Sequence, residues 1–212
     1  LDQALVATQF SPKACVEMGI QIAQGIRHIH EQDSQKLVHS DIKPSNILIS
    51  RTGLVKVADL GLIRSSFEAV QTKQGTPGYM APEQISDDSI DQRADIFSLG
   101  IVLVESLLGR RFFSGSTTLQ LISQGSHSDL IFGERFQEDL IQINSSLMEV
   151  LKKMLQFNPD KRHQSMKEVL EVLLRLPELS GKSLLSLLQE EFLIPFSKNK
   201  FLDALERTLP QD

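Results

Sequence analysis

Residues 37–50 read LVHSDIKPSNILIS, which sets Asp41, Lys43, Pro44 and Asn46 between two apolar runs. The cluster is too polar for a core segment and too well framed for an idle loop. The chain continues NILISRTGLVKVADLG over residues 46–61. Here Ile47, Leu48 and Ile49 face Lys56, Val57 and Ala58 across Arg51-Thr52-Gly53-Leu54, which reads as a β-hairpin. With Arg51 opposite Leu54, Leu48 opposes Val57 and Asn46 falls opposite Asp59. Opposed residues have Cβ atoms roughly 4.5–5.5 Å apart, so two oxygen-bearing side chains meet at the open end of the hairpin. Such a pair suits a hard cation. Magnesium typically takes one or two protein oxygens and completes its shell with phosphate and water. Asp41 lies near the same end on a loop stiffened by Pro44, and Lys43 offers a point charge for phosphate. Together these residues suit phosphoryl transfer, the aspartate accepting a hydroxyl proton and the cations offsetting charge on the transferred group. Taken singly, Asp-x-Lys-Pro is an ordinary turn and an asparagine before a strand is an ordinary cap. The set carries the reading.

Several elements must position these groups. Ser11-Pro12 is a helix start, and Val16, Ile20, Ala23, Ile26 and Ile29/His30 recur at helical spacing, so 12–32 is expected to be a long amphipathic helix. Residues 62–90 have weak periodicity and read as a long, functional loop. A helix from about Gln92 to Leu108 is apolar on nearly all sides and should be buried. Capping boxes place later helix starts at Ser146 with Glu149 and at Ser165 with Glu168. Beyond Pro177 two amphipathic stretches, 183–193 and 198–209, are split by Pro195. The expected class is mainly α, with a small β element at the site.

Composition narrows the rest. The chain has 212 residues, 41% hydrophobic, enough for a substantial core. A net charge of −5 gives no reason to expect nucleic acid or an anionic membrane as partner. A single cysteine excludes an internal disulfide and suits a reducing, cytoplasmic setting. No stretch reaches the roughly 20 apolar residues of a membrane span; LGIVLVESLLG at 99–109 is short and interrupted by Glu105. Cys15 has no activating partner in sequence, and His28, His30, His127 and His163 lack ligand-like spacing, so all are read as ordinary. The chain opens on Leu1, and residues are expected to be missing ahead of it.

His39-Ser40-Asp41-Ile42-Lys43-Pro44-Ser45-Asn46 resembles the catalytic loop of the eukaryotic-type (Hanks-type) serine/threonine protein kinases. Asp59-Leu60-Gly61 resembles their magnesium-binding Asp-Phe-Gly. Residues 75–83, GTPGYMAPE, are similar to the end of their activation loop. Asp95-Ile96-Phe97-Ser98-Leu99-Gly100 is similar to their buried central helix, and Asn158-Pro159-Asp160-Lys161-Arg162 to a late structural motif. Five motifs in order, over residues 1 to about 175, are a specific signal, and their wording is most like bacterial members. The resemblance implies ATP and Mg2+ as cofactors and a protein substrate. It makes Asp41 the catalytic base and Lys43 a γ-phosphate contact, with Asn46 and Asp59 the metal ligands. Lys43, Ser45, Asn46 and Asp59 would form the ATP site within this chain. Thr76 would brace Asp41 and Lys43 from the substrate loop, while His39 and Leu60 would pack beneath the site. Glu83 and Arg162 would pair, and Asp95 would bind the catalytic-loop backbone. Lys43 and Thr76 favour serine/threonine over tyrosine specificity.

Two departures stand out. Ser40 replaces the family's usual arginine, which clamps an activation-loop phosphate, so modification of Ser65, Ser66 or Thr72 is expected to matter little for activity. The chain also lacks a Gly-rich loop and the Val-Ala-x-Lys lysine. The resemblance therefore implies residues 1–176 as a large C-terminal lobe and 177–212 as a helical extension. The small N-terminal lobe, absent here, would pack on it, and the fragment alone would turn over little ATP. Competing readings are a pseudokinase scaffold, against which the intact Asp41, Lys43, Asn46 and Asp59 argue, and a small-molecule phosphotransferase, which would lack the Ala-Pro-Glu segment.

Overall fold

The structure, a computed structural model, describes residues 1–2, 9–32, 37–50, 52–62, 64–65, 75–86, 89–113, 143–177 and 183–193. Six helices and two short antiparallel strand pairs make up the regular part of these residues. Helix α1 (Pro12–Glu31) starts where Ser11 accepts a hydrogen bond from the Ala14 N–H at 3.2 Å, with proline in the first turn. Its buried face, which includes Cys15, Met18, Ile22 and Ile26, packs against the other central helices and the hairpin. Cys15 is fully buried, and its thiol donates to the Leu103 carbonyl at 3.5 Å.

Strand β1 (Leu37–Val38) pairs with β4 (Arg64–Ser65), and β2 (Ile47–Ile49) with β3 (Val55–Val57). The β1–β4 pair was not expected from sequence; it closes the stretch between residues 38 and 64 at its base. The hairpin register also differs by one from expectation. Ile47 pairs with Val57, Leu48 with Lys56 and Ile49 with Val55, so Asn46 lies opposite Ala58 rather than Asp59. The reason is the loop. Ser50 and Leu54 close it with a 2.8 Å hydrogen bond, and the connection between them ends on Gly53 at φ +76°. A left-handed glycine there adds one residue to the connection and shifts every pair.

The region read as one long loop contains a short helix, α2 (Pro82–Ser86), directly after the substrate-loop motif; residues 63, 66–74 and 87–88, with Ser66 and Thr72, lie outside the described residues. Helix α3 (Arg93–Leu108) is buried from Ala94 to Leu107 and stops at Gly109, whose left-handed φ of 63° lets its N–H return to the Glu105 carbonyl. Helix α4 (Ser145–Met154) is capped by Asn144, which accepts from the Ser146 N–H at 2.8 Å, and not by Ser146 as expected. Asn144 accepts from the residue two ahead, so the helix begins two residues earlier than the Ser146–Glu149 pattern implies. Helix α5 (Met166–Leu173) does start at Ser165, which accepts from the Glu168 N–H at 3.1 Å. Helix α6 (Leu184–Leu193) falls in the first expected tail stretch, and Leu184, Leu187 and Leu188 belong to the same apolar core as α1 and α3. The second stretch, 198–209, and His127 lie outside the described residues. No helix among the described residues is long and apolar enough to cross a membrane.

Candidate active site

The site begins with a buried carboxylate. Asp95, in the first turn of α3, has no exposed surface and accepts three hydrogen bonds of 2.8 Å, from the His39 N–H, the Ser40 N–H and the His30 ring. Ser40 sits at φ 70°, a left-handed conformation that costs a serine about 1–3 kcal/mol. Asp95 holds that strained backbone in place. Burial works against its charge, but the bond and charge of His30, followed by the His39 N–H, outweigh it and hold the carboxyl below its usual range. His30, read from sequence as ordinary, is thus a partner of this anchor. His39 is itself buried; its Nε2 lies 3.2 Å from the Ala58 carbonyl and its Nδ1 is 3.4 Å from the Asp41 N–H. One tautomer, with the proton on Nε2, satisfies both contacts.

This frame sets Asp41 at the centre of a compact polar cluster. Asp41 Oδ1 accepts from the Thr76 hydroxyl at 2.7 Å, and Oδ2 lies 2.7 Å from Lys43 Nζ and 3.1 Å from Asn46 Nδ2. Lys43 also donates to Thr76 Oγ1 at 2.7 Å. Thr76 therefore takes a proton from the lysine and gives one to the aspartate, so a residue 33 positions away in sequence joins the two. Asn46 spends its amide hydrogens on Asp41, with a further bond to the Asp41 carbonyl at 3.0 Å, so neither bond engages its Oδ1 acceptor.

Asp59 follows Ala58, whose N–H donates to the Asn46 carbonyl at 2.8 Å, so Asp59 stands one position beyond the residue that faces Asn46. Asp59 is exposed at φ 62°, and the Gly61 N–H lies 3.4 Å from its Oδ1. An amide oxygen and a carboxylate are the donor types that suit magnesium, which needs few protein oxygens when phosphate supplies the others. No group of three or more His, Cys, Asp or Glu side chains suited to a metal occurs among the described residues. Ser45 is exposed on the turn between Lys43 and Asn46. Leu60, expected to pack near His39, is instead 53% exposed, because Asp59 turns the chain outward into the 3-10 turn Leu60–Leu62.

The loop that carries Thr76 is held from behind by three buried contacts. Glu83 on α2 pairs with Arg162 at 2.6 and 2.7 Å, both side chains being almost fully buried. Arg162 donates its other N–H groups to the carbonyls of Gln156, Phe157 and Arg93, so all five donors are used. Two residues that sequence reasoning did not single out do similar work. Tyr79 donates to Glu105 at 2.6 Å, and Glu105 also accepts from the Phe112 N–H at 2.8 Å. Burial pushes the Glu105 carboxyl up, against those hydrogen bonds. The signal was present: a glutamate inside an apolar helix needs a partner. Gln84 bridges as well, donating to the Ser40 carbonyl at 3.0 Å and accepting from the Ala81 N–H at 2.8 Å.

Comparison with known proteins shows the family of the chain. The protein kinase domain family matches residues 1–173. The serine/threonine-protein kinase PknB of Mycobacterium leprae is 34% identical over 170 residues, 78% of this chain and 26% of that protein. PknB of Mycobacterium tuberculosis is 35% identical over 172 residues, with the same coverage. The proline-rich receptor-like protein kinase PERK15 of Arabidopsis thaliana is 40% identical over 100 residues, 45% of this chain and 20% of that protein. The chain thus spans about a quarter of the length of the PknB relatives. Over residues 1–173, this chain belongs to the protein kinase domain family, Hanks-type and similar to bacterial serine/threonine kinases.

Proposed function

We propose that the complete protein transfers the γ-phosphoryl group of ATP to serine or threonine hydroxyls of protein substrates, and that this chain supplies the catalytic residues. The observation that carries this reading is the single carboxylate Asp41 held at once by Thr76, Lys43 and Asn46. Such a carboxylate is oriented for one proton acceptor's task. A substrate hydroxyl lying against Asp41 gives its proton to the carboxylate as its oxygen forms the new bond to phosphorus, and ADP leaves with the electrons of the broken bond. Lys43 is placed to offset charge on the moving phosphoryl group. Asn46 and Asp59 are the residues to hold Mg2+, which when bound neutralises phosphate charge. Glu83–Arg162 and Asp95 keep the two loops in register.

We also propose that residues 1–176 form the helical large lobe of the kinase and 177–212 an extension of it. The nucleotide-binding small lobe would pack over Leu48 and Leu60, both more than half exposed on the hairpin and on the turn after Asp59. On that reading the 212 residues by themselves turn over little ATP. The lone cysteine is consistent with a reducing cytoplasm as the setting of this domain. The test is phosphate transfer from ATP to a generic protein substrate by the complete protein, beside Asp41→Asn. A loss of about 10²–10⁴-fold in kcat, with the fold intact by thermal melting, is expected. Transfer that survives the substitution would remove Asp41 from the role of base.

A further inference from the structure

The family match ends at residue 173, yet the ordered core does not. Helix α6 lies beyond it, buries Leu184, Leu187 and Leu188, and packs against α1. Its first turn meets the tip of the β2–β3 hairpin at unusually short range. A Cβ placed on Gly53 would lie 2.5 Å from the Leu185 backbone nitrogen and 2.8 Å from the Leu185 Cβ, closer than any real side chain could stand. The hairpin tip therefore needs a glycine twice over, for its left-handed φ of 76° and for contact with α6. From the other side, Gln21 on α1 donates to the Gly53 carbonyl at 3.2 Å and accepts from the Val55 N–H at 2.9 Å. The tip is thus gripped between α1 and α6. The opposite, open end of the same hairpin is the Asn46–Asp59 pair.

We propose that α6 is part of the catalytic unit: a brace in which Leu185 acts through Gly53 as a positioning residue for the metal-ligand end of the hairpin. This rests on the kinase reading for its functional consequence and on the packing alone for its structural one. A hairpin of three residues a strand is marginal without support, and its two ends move together because the ladder between them is short. Loosening the tip therefore changes how Asn46 and Asp59 present their oxygens while leaving Thr76 and the substrate loop, which hang on Glu83 and Arg162, in place.

The test uses the complete protein and three variants: Leu187→Asp with Leu188→Asp to undock α6, Gly53→Asn, and both together. Asparagine tolerates the left-handed φ, so Gly53→Asn mainly adds the Cβ that collides with Leu185. Hydrogen exchange followed by mass spectrometry should show α6 and the 50–55 turn losing protection together in each variant. The Mg2+ concentration for half-maximal transfer should rise about threefold to tenfold, the low end of what losing support behind a metal ligand costs. KM for the protein substrate should stay unchanged. Gly53→Asn should add little once α6 is already undocked, since both act on one contact. Loss of protection in α6 with an unchanged hairpin and unchanged Mg2+ dependence would overturn the brace, as would fully additive effects. If the double aspartate variant unfolds globally, Gly53→Asn alone decides, by whether α6 and the turn open together. If the wild-type protein shows no transfer, the kinase reading falls and the exchange measurement still decides the brace.

Discussion

At the residue scale, the site turns on how few atoms share the work. Thr76 Oγ1 is both acceptor from Lys43 and donor to Asp41, so a methyl in its place breaks two bonds at once. Thr76→Val is expected to lower kcat by roughly tenfold or more, while Thr76→Ser, which keeps the hydroxyl, stays near the parent. Steady-state kinetics at saturating ATP and substrate would separate them. Asp95→Asn is expected to destabilise the fold by about 1–3 kcal/mol. An asparagine turns an NH2 toward one of the N–H groups that Asp95 now accepts from, leaving it unpaired and buried. Chemical denaturation would measure this. Asp41, Lys43 and Asn46 were legible in sequence because they lie within six residues of one another, framed by apolar runs. Thr76 was legible only through resemblance, since no local rule connects positions 41 and 76. His30 was missed because its partner is 65 positions away and a helical histidine carries no mark of it.

At the scale of elements, the sequence marks where helices start and less well how strands register. Ser11-Pro12 and Ser165 announced their helices because caps are local chemistry. The hairpin shifted by one because a left-handed glycine in its loop cannot be told from an ordinary one without coordinates. Asn46 and Asp59 are left one position out of register at the open end of the hairpin. The Glu83–Arg162 pair joins α2 to the turn before α5 with every guanidinium N–H engaged, and Arg162→Lys leaves several of those carbonyls and a carboxylate oxygen without a donor. A loss of about 3–5 kcal/mol is expected from urea unfolding. The α5 start also sets a pH dependence. Burial opposes the Glu168 charge, but Lys153, the Gln164 N–H and His163 outweigh it and bring the carboxyl down to about 2. Its stabilisation is therefore present above the ordinary carboxylate range and lost as pH falls toward 2. Burial lowers the pKa of His163, so the unfolded chain binds its proton more readily than the folded one. Stability should fall as pH drops below about 6.5, and His163→Gln should flatten that arm of a urea-midpoint profile between roughly pH 7 and 5. A parent profile that is already flat there would remove His163 as its cause.

At the scale of the molecule, one apolar core runs from α1 through α3 to α6, while the polar chemistry sits at one end of the hairpin. The mainly helical class was legible because the strong 3.6-residue periodicity of 12–31 and the largely apolar 93–108 leave little room for another reading. The β1–β4 closure was not legible, since two strands of two residues each have no pattern to detect. The kinase reading makes a prediction at this scale. The 212-residue chain should bind its own core and melt cooperatively, yet transfer phosphate at a small fraction of the complete protein's rate. Comparing the two with identical ATP and magnesium would check it, and equal rates would refute the two-lobe proposal.

Cys15 is the single cysteine of these 212 residues, wholly enclosed and tied to the carbonyl of Leu103 at the centre of the α1–α3 contact. A thiol reagent can reach it only when those two helices part. Its alkylation rate, set against that of a free thiol, is therefore a clock for the opening of the core, and it can be read in the unmodified chain with no dye and no substitution.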